Sequence, residues 1–215
     1  DSPRRQRSGI YDAKLIGPKG KRLQIILLDT KYNRSAFKKN PAPKEERLAA
    51  GKVGAYLPDD DPAKTHLGTR QWEWLEAELE KPAELRLICS STQIIPDQKG
   101  MDEWGNFPHQ RRRLIDLAEA AGNVVFLSGN VHFAEISQLK SGLTELTSSG
   151  MTHIEEIYGA APNRYRVNDA LVDLNFGFIE IDWDTATVRL SACDTAGHTQ
   201  LVHEISMASS PPHTP

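Results

Sequence analysis

At 215 residues the chain is long enough for one sizeable core, and its length alone does not require two domains. Hydrophobic content of 39%, charged content of 26% and a net charge of -3 fit a globular protein, with no global drive towards nucleic acid or an anionic membrane. No apolar stretch approaches the roughly 18 residues of a bilayer span, so no transmembrane segment is expected in this chain.

Residues 1–9, DSPRRQRSG, are basic and polar and read as a solvated arm. The chain opens on Asp1 rather than Met and shows no signal peptide, so an excised, processed or incomplete piece is expected. Gly17-Pro18-Lys19-Gly20 signals a turn, and Arg22 to Asp29 (RLQIILLD) follows as a buried strand ending in a carboxylate. At a strand's carboxyl end Asp29 is either a site residue or, more commonly for that position, the cap of the next turn. Lys38 to Asp61 is rich in Lys, Pro, Asp and Glu and reads as a long surface excursion with one helical turn near Glu45–Ala50. His66 to Glu80 has the period of an amphipathic helix, with Leu67, Gln71, Trp74, Leu75 and Leu79 near one face, and Pro82 ends it.

Leu85 to Ser90 (LRLICS) is a third strand candidate, followed by a glycine- and aromatic-bearing loop at 97–108. A helix runs from Pro108 through Ala121, with Leu114, Leu117, Ala118 and Ala121 opposite Arg112, Asp116 and Glu119. Three arginines at its start, Arg111 to Arg113, are disfavoured near a helix N-terminus, so an ion pair, a bound anion or plain solvation is required there. Cys89 and Cys193 each sit in an apolar run and read as buried free thiols, with a disulfide left open.

The segment from Asn123 to Glu135, NVVFLSGNVHFAE, carries the chemistry. Val124 to Leu127 is an apolar run punctuated by Gly122 and Ser128-Gly129, which reads as a short buried strand. Asn130 and His132 leave its carboxyl end, where open α/β sheets build their sites, and share a face if the chain stays extended. By spacing alone, Asn-x-His after a strand is more often a hydrogen-bonded turn than a metal site. Leu143 to Leu146 is another strand, and Thr147 to His153 is a small-residue loop ending in histidine. Phe176 to Trp183, Thr187 to Cys193 and Leu201 to Ile205 alternate as half-buried antiparallel strands. The order is strand–helix–strand–helix–strand and then antiparallel strands, which suits paired sheets flanked by helices. The final SSPPHTP, 209–215, is a disordered tail by composition.

Six segments taken together resemble the PhoD-like (alkaline phosphatase D) metallophosphatases of the calcineurin-like phosphoesterase superfamily. They are residues 9–34, LGTRQWEWLEAEL at 67–79, SSTQIIP at 90–96, DEWGNFPHQRRRLIDL at 102–117, LSGNVHFAEI at 127–136 and LTSSGMTH at 146–153, in the family's order. The resemblance implies an α/β fold that is part of a four-layer α/β/β/α sandwich, with residues 1–208 as the C-terminal portion of one phosphatase domain. It also implies phosphoester hydrolysis by metal-activated water, on a small phosphoester substrate and with no nucleic-acid partner. A bound cation neutralises the anionic ester and lowers the pKa of its water towards about 7. Calcium and iron are the implied metals, and the family's habit points to secretion or the secretory pathway.

Carried over by the same resemblance, His132 matches the histidine of the family's G-D-x-H motif and Asn130 stands at its Asp position, as metal ligands and catalytic groups. Lys31 stands where the family usually has Arg, keeping charge but losing the bidentate fork. Lys31, Gln93, Trp104, Arg111 and His153 fall in blocks that line the substrate, with Asn106 and Phe107 beside them, and Glu135 is expected to orient His132. The family's acidic metal motifs, G-D-x-x-Y and D-D-H-D, do not occur here, so the chain is expected to supply part of a site. A non-catalytic homologue that binds an anion or partner is the alternative.

Overall fold

The computed structural model describes residues 2–207, so the expected tail at 209–215 lies outside the described residues. A 3-10 turn at Pro3–Gln6 leads into β1 (Asp12–Ile16) and β2 (Leu23–Leu27). The proline-rich excursion carries β3 (Lys38–Lys39), α1 (Lys44–Ala49) and β4 (Tyr56–Leu57). Then come α2 (Thr69–Leu79), β5 (Leu85–Cys89), a second 3-10 turn at Trp104–Asn106, α3 (Pro108–Ala121) and β6 (Val124–Ser128). The chain continues through β7 (Ala134–Gln138), β8 (Thr144–Ser148), α4 (Glu156–Gly159), β9 (Asn175–Asp182), β10 (Thr187–Asp194) and β11 (Thr199–Ser206).

A six-stranded sheet has the order β1-β2-β5-β6-β8-β7. Its four inner strands are mutually parallel, and β1 and β7 pair antiparallel at its two edges. β9, β10 and β11 form a separate antiparallel sheet with β10 in the middle. β5 and β6 are largely apolar on both faces because both faces are covered, whereas β8 buries Thr144, Glu145 and Thr147 beside Leu146. Ile88 and Phe126 pack under α2 and α3 with Leu75, Leu114 and Ala118. Leu85, Leu87, Val125 and Leu146 face Val188, Leu190 and Ala192 of the second sheet. The result is three layers, helices on sheet on sheet, of the α/β type expected.

Local departures from the sequence reading have physical causes. The buried tryptophan of α2 is Trp72, whereas Trp74 is half-buried against Tyr11 at a ring separation of 4.6 Å. The basic arm is docked, since Arg4 pairs with Asp12 and the Arg7 guanidinium lies 4.0 Å over the Tyr11 ring. At the start of α3, Arg113 pairs with Glu76 at 2.7 Å, which offsets the cost of cations there. Arg86, buried within β5, donates to carbonyls of Leu79 and Lys81 at the end of α2 and of Ala121 and Gly122 at the end of α3. One guanidinium thus satisfies the open ends of both helices. Cys89 and Cys193 are free thiols, and burial pushes Cys89 up to about 11.

Candidate functional site

Because β2, β5, β6 and β8 run parallel, their carboxyl ends share one edge of the sheet. That edge collects Asp29 to Lys31, Ser90 and Ser91, Ser128 to His132, and Ser148 to His153. Asn130 and His132 hang on the turn between β6 and β7. The turn is not extended: Asn130 sits at φ 76° and His132 at φ 59°, a left-handed region uncommon for residues other than glycine. Val131 and Phe133 anchor it by burial beside Met101, leaving Asn130 exposed and His132 half-buried.

From the end of β8 a second loop brings His153 against His132, ring centroids 4.1 Å apart at 61°. Tyr158 of α4 stands 6.1 Å from the His132 ring, and the Glu155 N–H donates to the His132 carbonyl at 3.2 Å. The His153 loop is pinned by Asn175, whose Oδ1 accepts from Ser148 Oγ at 2.9 Å and whose side chain fills the space a Cβ on Gly150 would need. Sequence reasoning missed Tyr158 and Asn175, since neither lies in a motif and only the loop packing gives them a role. Among the described residues no group of three or more His, Cys, Asp or Glu is placed to hold a metal. Two imidazoles and an exposed amide nevertheless fit part of a metal's coordination, imidazole being a good ligand for transition metals.

The remaining expected site residues are not part of the histidine pair. Lys31 is on the same edge at the end of β2, paired with Asp102 at 2.5 Å, and Asp102 also pairs with Arg34 at 2.8 Å. Gln93 is fully buried, donating to Glu135 at 2.7 Å and Thr147 at 2.9 Å and accepting from Lys99 at 2.7 Å. Trp104 is fully buried, stacked 4.1 Å from the His66 ring, with its indole N–H donated to Ser90 Oγ at 3.0 Å. Asn106 and Phe107 are buried in the same region. Arg111 donates to the carbonyls of Ile94 and Ile95, tying α3 to the loop after β5. Gln93 and Trp104 therefore hold scaffold together and present no open surface for a substrate, while the part-buried Arg111 has its guanidinium committed to the two carbonyls.

Glu135 has no hydrogen bond to His132 among the described residues. It is fully buried, bound to Lys99 and to Arg166 Nε at 2.7 Å. Burial pushes its carboxyl up, but the two cations outweigh this and hold it below its ordinary range. Glu145 is buried nearby and accepts from the Ile94 N–H at 2.9 Å and the Ile95 N–H at 2.5 Å; burial raises its carboxyl in spite of them. His66, enclosed by Trp104 and Phe107, is driven down to about 3 by burial and then by Arg34 and Lys31, so it stays neutral.

A helix-backed mixed sheet packed on an antiparallel one, with polar residues gathered at the parallel strands' carboxyl ends, defines a layered α/β protein with its candidate site on that edge. The chain is a member of the PhoD-like phosphatase family, whose model matches residues 16–173. The solved structure of PhoD aligns with a TM-score of 0.60 at 16% identity, over 92% of this chain and 44% of that one. GAP50, the anchor in the inner membrane complex of Plasmodium, aligns with a TM-score of 0.61 at 14% identity, over 94% of this chain and 55% of that one. A dimetal phosphatase from Danio rerio aligns with a TM-score of 0.47 at 15% identity, over 91% and 60%. The chain thus spans less than two thirds of each of these structures. Among curated proteins none matches.

Proposed function

We propose that the chain forms part of a metal-dependent phosphoester hydrolase and contributes the His132–His153 pair to its reaction centre. The observation that carries this reading is that two imidazoles from separate strand ends meet at the open, carboxyl edge of the parallel strands. His132 and His153 would hold the metal, with the Asn130 amide oxygen as a further, uncharged donor. Such a nitrogen pair suits iron, whereas calcium takes oxygen ligands and would draw on groups outside this pair. A metal held there would supply charge neutralisation for the ester and an acidified water. His132, held by the buried Val131 and Phe133, orients the scissile phosphate against His153. In the alternative role, with the metal held without His132, the His132 imidazolium would instead donate the proton to the departing alkoxide.

The test is turnover of a chromogenic phosphodiester or monoester by the complete polypeptide supplied with iron and calcium. His132→Ala is expected to lower turnover by at least about a hundredfold, the lower end for loss of a proton-transfer group. Undiminished turnover in that variant refutes the reading. A second reading, a non-catalytic relative that binds an anion, draws on Asn130, which brings no charge to a cation. Metal analysis of the purified complete protein separates the two, because the inert relative would carry little metal.

A further inference from the structure

Two strands along the same edge lies a pocket of about 460 Å³, lined by Ile10, Leu28, Asp29, Thr30, Lys31, Tyr32 and Ser91. Its floor is a hydroxyl pair, Thr30 Oγ1 bonded to Ser91 Oγ, with Thr30 itself buried. Its most exposed members are apolar or aromatic: Ile10 is 75% and Tyr32 70% exposed. Single exposed apolar residues are ordinary, but the backbone that carries these two is held in place. One carboxylate fixes both, because Asp29 accepts from the Ile10 N–H at 2.9 Å, the Lys31 N–H at 3.0 Å and the Tyr32 N–H at 2.9 Å. Burial pushes Asp29 up, but these three donors hold it below its ordinary range, so the clamp persists at neutral pH.

We infer that this pocket seats a planar ring carried by the alcohol of the phosphoester, which makes the substrate class an ester of an aromatic, nucleoside-sized alcohol. The inference rests on the phosphoester reading for the position of the phosphate. β6 lies two strands and β8 three strands from β2, so at about 4.8 Å per strand the strand ends that carry the pocket and the histidine loops are roughly 10–15 Å apart. That separation is longer than a simple phenyl ester spans. Tyr32 offers a ring face for stacking, Ile10 and Leu28 an apolar contact, and the Thr30–Ser91 hydroxyls partners for polar edge atoms. Lys31 also lines the pocket, with its ammonium paired to Asp102.

The experiment is an NMR titration of the chain with adenosine monophosphate and with ribose 5-phosphate, which share phosphate and sugar and differ by the ring. Adenosine monophosphate is expected to bind more tightly. Tyr32→Ala should weaken it about three- to tenfold while leaving ribose 5-phosphate unchanged, and Tyr32→Phe should restore it because the stacking face returns. Equal affinity of the unaltered chain for the two probes, or no effect of Tyr32→Ala, overturns the inference. His132→Ala reports on the other reading, because it should weaken both probes alike. If it weakens neither while Tyr32→Ala still discriminates, the pocket stands and the phosphate assignment falls.

Discussion

Glu103 gives a direct test of how burial sets the energetics beneath this site. Its side chain is 1% exposed; Oε1 accepts from the Gly100 N–H at 2.9 Å, and Oε2 has no partner among the described residues. Burial raises its carboxyl from 4.5 to about 7, against the opposing pull of Lys99 and the Gly100 N–H and with help from Asp97. At about 1.4 kcal/mol per tenfold, the charged form is disfavoured in the folded chain by about 3 kcal/mol. The sign follows from linkage. Below pH 4.5 the group is protonated whether the chain is folded or not, and its contribution is complete. Between 4.5 and about 7 the unfolded chain releases the proton first, so stability falls as pH rises. Glu103→Gln keeps an acceptor for Gly100 and removes the charge, at a cost of about 1 kcal/mol for its unpaired amide donor. Urea denaturation followed by tryptophan fluorescence should show near parity at pH 5 and a variant about 2 kcal/mol more stable at pH 8. A constant separation between the two proteins across that range would refute the reasoning.

Two further outcomes test the packing around the candidate centre. Lys99→Met removes the ammonium from the buried Glu135 and leaves Arg166 as its remaining cation, so the urea midpoint should fall by an amount worth about 3 kcal/mol, with partial recovery when Glu135→Gln is added. Gly54→Ala would place a Cβ 1.8 Å from the Gly100 carbonyl oxygen, where the backbone has no room to yield, and should cost at least about 2 kcal/mol in the same assay.

The elements that were legible are those whose partners are uniformly apolar. β5 and β6 are covered on both faces, so LRLIC and VVFL read as strands without any knowledge of what covers them. β7 was not foreseen because AEISQ interleaves Glu135 and Ser137 among its apolar residues. Both are fully buried, and their burial is compensated by Lys99, Arg166 and Asn163, which come from elsewhere in the chain. β1 was missed because it is a short edge strand whose Leu15 and Ile16 stay half exposed. Likewise Gln93, Trp104 and Arg111 sit in blocks that look like site linings, yet their side chains turn inward to bind Glu135, Ser90 and two carbonyls.

The sequence by itself determined the class of fold, the family and the stretch from Asn123 to Glu135 as the place to look, because hydrophobic period and motif order are local properties of the chain. Only the tertiary structure decided which polar residues meet. His132 and His153 lie on loops that follow different strands, and their contact depends on parallel pairing of β6 with β8 and on two left-handed residues in one turn. Partnerships across that distance are set by packing and charge compensation in three dimensions, which no local pattern encodes.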